Sequence, residues 1–234
     1  MSAKQTSGGF NEDALLEYVI RTRRFFIKNK GTIITISLIV LALAVFLVVR
    51  AVESKKAEEE ASTAFERVAV MLRGNVMDRI GDIETQLSDI VKKWPNTLGA
   101  ARASFHLADM QYKLENYAAA IESYTRASKY SSSIHLYPAS ILGLANTYEQ
   151  TGDLEKAVVQ YDRIGTASNS FGYRNSALIG KARCLAVMGD RREARRLLEI
   201  VSAGNSLLAE EAEQVLIWLE GLDSLQETQI LPGN

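Results

Sequence analysis

"GDLEKAVVQYDRI" (residues 152–164) is one of three near-copies of a single helix start. Thirty-seven residues downstream stands "GDRREARRLLEIV" (189–201), and thirty-seven upstream "ENYAAAIESYTRA" (115–127). In each copy an alanine precedes a bulky residue by four positions: Ala120 and Tyr124, Ala157 and Tyr161, Ala194 and Leu198. Each of these helices is preceded by another with its own recurring pair, Leu107-Ala108, Leu144-Ala145 and Lys181-Ala182. One interval further back lie Ile83, Leu87 and Ile90, followed by a stop at "WPNT" (94–97). Fixed self-similarity at this length predicts stacked helix pairs.

The spacing has a physical cause. Antiparallel helices approach closely where a small residue on one faces a bulky residue on the other, and positions four apart share a helical face. One helix pair cannot bury that face alone, so the next pair covers it and the core grows as a line. Four such units are expected over about residues 60 to 204. The stretch "SLLAEEAEQVLIWLE" (206–220) then reads as a capping helix, with Leu208, Ala212, Val215, Leu216 and Leu219 turned inward.

A different pattern precedes the repeats. "GTIITISLIVLALAVFLVV" (31–49) carries no charge and is bounded by charged residues. At about 1.5 Å per residue it reaches roughly the 30 Å of a bilayer core, which predicts a transmembrane helix. The small-x-small triplet Ala42–Ala44 lies inside the apolar run, so an uncleaved anchor is expected rather than a signal peptide. Arg21, Arg23, Arg24, Lys28 and Lys30 crowd the N-terminal flank, whereas Arg50, Lys55 and Lys56 are interleaved with Glu53, Glu58, Glu59 and Glu60. That bias places the N-terminus in the cytoplasm and the repeats outside. Ahead of the span, "NEDALLEYVIRTRRFFIKNK" (11–30) reads as an amphipathic helix capped by Asn11 and suited to an anionic lipid surface.

The reading is therefore all-α: an N-terminal amphipathic helix and one transmembrane helix, then an α-solenoid of about four helix pairs with a C-terminal capping helix. The expected boundaries are a cytoplasmic segment at 1–30, the span at 31–49, a helical stalk at 50–59, the repeat domain at 60–221 and a flexible tail at 222–234.

The repeated residues resemble the tetratricopeptide repeat, with Leu-Gly/Ala in the first helix and Ala-x3-aromatic in the second. Residues 98–131 and 135–168 follow that pattern, while the fourth unit departs from it at Lys181 and Leu198. The interval exceeds the usual length, and the extra residues are assigned to the connections "SSSIHLYP" (131–138) and "TASNSFGY" (166–173). As a whole the chain, with its basic "RRFFIKNKG" (23–31), single span and repeat domain, resembles the ancillary Sec-translocon subunit family of bacterial inner membranes. The resemblance implies an inner-membrane protein that binds other proteins, near the translocon or periplasmic chaperones. A structural scaffold in a larger envelope complex (motor, secretion or cell-wall machinery) is the alternative.

Composition narrows the chemistry. With 27 Lys+Arg against 28 Asp+Glu, no basic excess suggests a nucleic-acid partner. Cys184 is the single cysteine, so an intramolecular disulfide is excluded. His106 and His135 have no ligand-type residue at metal spacing, and "GTASNSFG" (165–172) lacks the strand and lysine of a phosphate loop. No enzyme activity, cofactor, metal or small-molecule substrate is expected. Proteins or peptides are the expected partners, with membrane lipid around the span and basic helix.

In tetratricopeptide arrays the first helices line the concave side. One stripe recurs there at the repeat interval: Phe105, Asp109 and Tyr112, then Leu142, Asn146 and Glu149, then Ile179, Arg183 and Ala186, with Val68 and Leu72 one repeat earlier. This mixed apolar and polar stripe is the expected peptide groove. Although Asn146 is present, Phe105 and Leu142 stand where a clamp for a terminal carboxylate would need polar groups, so no such clamp is expected in the groove.

Overall fold

In the computed structural model, which describes residues 12–74, 77–130, 135–166, 171–204 and 207–230, helix formers dictate every regular element. The helices are α1 (Glu12–Lys28), α2 (Lys30–Leu72), α3 (Ile80–Lys93), α4 (Leu98–Lys113) and α5 (Tyr117–Ala127). They continue as α6 (Leu136–Gln150), α7 (Leu154–Thr166), α8 (Arg174–Val187), α9 (Arg191–Ser202) and α10 (Ala209–Ile230). Short 3-10 turns at Met77–Arg79 and Phe171–Tyr173 lead into α3 and α8, and no strand occurs among the described residues. Contacts divide the chain into two units, Met1–Lys56 and Ala57–Asn234.

The first unit contains α1 and the start of α2. Backbone bonds from Asn29 N to Phe25 O and from Ile33 N to Asn29 O, both 3.0 Å, carry the helical pattern across the residue between them. The apolar side chains from Leu38 to Val49 are exposed, and Lys30–Leu72 is long and apolar enough to cross a membrane. Thr35 donates its hydroxyl to Gly31 O at 3.0 Å, which satisfies a polar group inside the apolar run without water. Asn11, the expected cap, and the polar residues before it lie outside the described residues.

The second unit stacks helix pairs: the end of α2 with α3, α4 with α5, α6 with α7, and α8 with α9, closed by α10. Its buried side chains form a succession of local clusters, from Phe65, Ile83, Leu87 and Leu107 at one end to Ile179, Leu197, Leu198 and Leu219 at the other. This is the linear core that the repeats require. Ala212 and Leu219 of α10 are fully buried, and Val215, Leu216 and, just ahead of the helix, Leu208 pack in the same cluster.

The repeat interval also governs the backbone. Glu115, Gly152 and Gly189 stand 37 residues apart, and all have positive φ, at 60°, 80° and 95°. Each reverses the chain between the two helices of a pair. The next amide reaches back five residues in every case: Asn116 N to Gln111 O, Asp153 N to Tyr148 O, and Asp190 N to Leu185 O, at 2.8 to 2.9 Å. That bond is the signature of a helix closed by a left-handed residue.

The first repeat is fastened more tightly than its weak sequence pattern indicated. A Cβ on Gly99 would fall 2.5 Å from the carbonyl carbon of Ala61, so α4 starts directly against the α2 backbone. Both carboxylate oxygens of Glu58 accept from Leu98 N at 3.0 Å, while Thr97 caps the same helix by accepting from Ala100 N. Trp94 donates to Glu60 at 3.3 Å, and Arg102 pairs with Glu66 at 3.4 Å. Of the glutamates that read as flanking charge, Glu58 therefore fastens the second repeat to the first, and Glu60 ties α2 to the end of α3.

Boundaries differ from expectation at two places. The connection expected at 131–138 enters α6 at Leu136, and Pro138 occupies its first turn, where a missing N–H costs little. The capping helix begins at Ala209 and continues through Ile230 instead of ending near Glu220. Residues 222–230 contain no helix breaker, and Pro232 is the first residue that cannot continue the helix. Ser206 and residues 231–234 lie outside the described residues.

Candidate peptide-binding face

The aromatic residue of each Ala-x3-aromatic pair crosses into the next repeat. The ring of Tyr124, on α5, lies against Gly143 of α6, where a Cβ would fall 2.4 Å from ring atoms. One interval on, the ring of Tyr161, on α7, meets Gly180 of α8, where a Cβ would fall 2.3 Å away. Ala120 and Ala157, four residues earlier, are fully buried. The knob and its glycine hole are thus contributed by different repeats.

Seated this way, each tyrosine delivers its hydroxyl to the expected groove stripe. Tyr124 donates to Asp109 at 2.5 Å. Tyr161 reaches both Asn146 Oδ1 at 2.7 Å and Glu149 Oε2 at 2.6 Å. Arg183 clasps the Glu149 carboxylate from the following repeat, through Nε at 2.8 Å and Nη2 at 3.0 Å. Its Nη1 stands 3.7 Å from Glu211 on α10. A polar relay therefore runs from α7 through α6 and α8 to the capping helix, with planar two-point recognition at its centre.

Burial and charge fix the protonation states along this relay. Burial, then the hydrogen bond to and charge of Asp109, push the Tyr124 phenol far above its ordinary value. Burial, then Glu149, does the same at Tyr161, so both hydroxyls remain donors. Burial alone would lower the Arg183 guanidinium, but bonding to Glu149 more than reverses it.

Three residues of the expected stripe are not available to a partner, since Ala186 is buried in the same core as Ile179. Val68 is only 2% exposed and packs with Phe65 and Leu87, and Ile179 is fully buried with Leu197 and Leu198. Both are core residues because neighbouring helices close over them. Leu72, Phe105, Tyr112 and Leu142 are half-buried. Phe105 meets the Tyr124 ring edge-on at 5.9 Å, and Tyr112 meets Tyr117 in the same manner at 5.6 Å. Asp109, Asn146, Glu149 and Arg183 are also half-buried, but their positions are set by the relay.

Sequence reasoning assigned Tyr124 and Tyr161 to packing alone. Their second role could have been read from a shared spacing, since Asp109–Tyr124 and Asn146–Tyr161 are both 15 residues apart. Gly143 and Gly180, 37 apart, were a further signal.

Elsewhere the side chains are chemically quiet. Cys184 is buried, and its thiol is pushed up to about 12 by burial and then by the charge of Glu149, which disfavours the nucleophilic thiolate. His106 is stacked on Phe65 with ring centroids 5.5 Å apart. Among the described residues no cluster of three His, Cys, Asp or Glu side chains could hold a metal ion.

No curated protein matches this chain in sequence. Residues 23–215 match the model of the tetratricopeptide repeat-like domain, a span that takes in the apolar helix as well as the repeats. With most of its length matched, and with helix pairs stacked at a fixed interval, the chain belongs to the tetratricopeptide repeat-like domain family.

Proposed function

We propose that this protein is a membrane-anchored protein-interaction module that holds exported polypeptides close to the bacterial inner membrane. In this reading the N-terminus is cytoplasmic, the apolar part of α2 spans the bilayer, and the repeat domain lies outside. There it works beside the translocon or periplasmic chaperones, with lipid around the span and the basic helix. Family membership makes protein binding the general function, and the lysine and arginine bias ahead of the span supports the orientation.

The observation that carries the reading is the face formed by Leu72, Phe105, Tyr112 and Leu142. These half-buried apolar side chains are flanked by polar groups that Tyr124, Tyr161 and Arg183 hold in position. Preorganised polar groups around apolar anchors suit an extended or helical peptide, because little side-chain freedom is lost on binding. Photo-crosslinking in cells from Phe105, Tyr112 and Leu142 tests it. Adducts to many exported chains and to the translocon are the expected result, and a face that yields no polypeptide adducts refutes it.

A scaffold role has one specific observation in its favour. On α10, Ile217 is 69% exposed and Trp218 is 42% exposed. Large apolar residues on a terminal helix suit a fixed stoichiometric partner. In that case crosslinks would come from α10 to one recurring protein, and groove substitutions would leave function intact.

A further inference from the structure

The third repeat fills a position that the second leaves open. In α6, Tyr137, Pro138 and Ile141 occupy one side of the helix, and Ile141 is fully buried. Their equivalents 37 residues earlier in α4 are Ala100, Ala101 and Ser104. Leu178 in the fourth repeat and Val215 in α10 continue the apolar series, which Ser104 breaks in the second repeat and Arg67 in the first. Beside Ser104 is a cavity of about 410 Å³, lined also by Pro95, Ala101, Arg126, Lys129 and Tyr130. A core built only for stability would place an apolar side chain there.

Two further observations give the cavity a chemical character. Ser104 is fully buried, and its Oγ has no hydrogen-bond partner among the described residues. A buried hydroxyl without a partner costs free energy and calls for an explanation. The second observation concerns the cations. Arg163, the third-repeat equivalent of Arg126, lies over the Tyr137 ring at 5.9 Å and donates to its hydroxyl at 3.3 Å. With Ala100 in place of that tyrosine, Arg126 lacks this partner and lines the cavity instead. Arg126 Nη2 donates to Glu122 on its own helix, and Lys129 has no partner among the described residues.

We propose that this cavity is a second binding site, which takes an acidic side chain of a bound polypeptide together with an apolar neighbour. The carboxylate accepts from Arg126, Lys129 and the Ser104 hydroxyl, and the apolar neighbour rests on Ala101 and Pro95. A lone inorganic anion would leave most of a cavity of this size unfilled, whereas an acidic residue and its neighbour occupy it. The cavity shares no lining residue with the stripe of Phe105 and Asp109, so the inference rests on the reading of the domain as a polypeptide binder but not on which residues form the groove.

The test uses the full chain in detergent micelles and fluorescence anisotropy with two labelled peptides, Ala-Leu-Glu-Leu-Ala-amide and its glutamine counterpart. The glutamate peptide is expected to bind at least about tenfold more tightly, as charge-assisted hydrogen bonds require, and to weaken as salt rises. Ser104→Ile, which restores the residue type of the third repeat, should abolish that preference. Lys129→Gln, at an exposed position that leaves the core unchanged, should reduce it several-fold. Equal binding of the two peptides overturns the proposal, as does an unchanged preference in both variants. Inorganic phosphate that binds at the site while neither peptide does overturns it as well. Crosslinking from Phe105 should persist in Ser104→Ile, so failure of this site and failure of the groove remain distinguishable.

Discussion

The ring of Tyr161 occupies the space that a side chain on Gly180 would need. An added Cβ would fall 2.3 Å from the tyrosine Cζ and 2.5 Å from its hydroxyl oxygen. Through this contact one repeat is seated on the next. The same seating delivers the Tyr161 hydroxyl to Asn146 and Glu149, so packing and the polar face are consequences of one side chain.

Gly180→Ala should therefore destabilise the domain by about 1–3 kcal/mol, the usual range for overpacking, although alanine is the better helix former. Denaturant unfolding followed by circular dichroism measures this. Tyr161→Leu, which introduces the residue type found at Leu198, should recover part of the loss in the double variant. A coupling energy near zero would show that the two positions do not press on each other.

Removing only the hydroxyl separates polarity from packing. Tyr161→Phe keeps the ring against Gly180 but deprives Asn146 and Glu149 of a donor. A loss of about 1–3 kcal/mol is expected, as for a hydrogen bond to a charged acceptor. Peptide binding at the groove should weaken as well, because Glu149 and Arg183 lose part of their alignment. Unfolding curves and anisotropy titrations of the same preparation distinguish the two effects.

His106 makes stability depend on pH. Its imidazole packs between the Phe65 and Phe105 rings, and burial, only partly opposed by Asp109, lowers its pKa below 6.5, with Lys113 and Arg102 adding to the shift. The folded chain thus binds this proton less readily than the unfolded chain. Its contribution is fully present above the unfolded pKa of 6.5 and is lost as pH falls through the lower folded value. Unfolding midpoints should decline from pH 7 to pH 5, with a smaller decline in His106→Phe. Parallel profiles for the two proteins would refute the assignment.

Glu115 holds a left-handed backbone, φ 60°, where the two following repeats have glycine. A side chain costs roughly 1–2 kcal/mol in that region. Glu115→Gly should raise stability by about 1 kcal/mol after glycine's greater freedom in the unfolded chain is deducted. Thermal unfolding checks the sign, and a lowered midpoint would mean that the Glu115 side chain has a role of its own.

Much of this fold could be read from residue order alone. The 37-residue interval, the alanine-bulky pairs and the uncharged run at 31–49 depend on helical periodicity and bilayer thickness, which are local or one-dimensional properties. The inward face of α10 was legible for the same reason. Its extent was not, because loss of apolar periodicity after Leu219 does not stop a helix, and no proline or glycine interrupts residues 222–230.

What only tertiary structure decided is which side of each helix another repeat covers. Val68, Leu72, Phe105, Leu142 and Ile179 share one stripe by spacing, yet Val68 and Ile179 are buried and the other three remain half-open. Burial depends on the volume of neighbours distant in sequence, and a period carries no record of that volume. Glu58 and Glu60 looked like charge beside a membrane span until the start of α4 and Trp94 were placed against them. Likewise Ser104 is an unexceptional helix residue in the sequence. It borders a cavity because its neighbours at 100 and 101 are small and because α5 and the residues just after it bring Arg126 and Lys129 alongside.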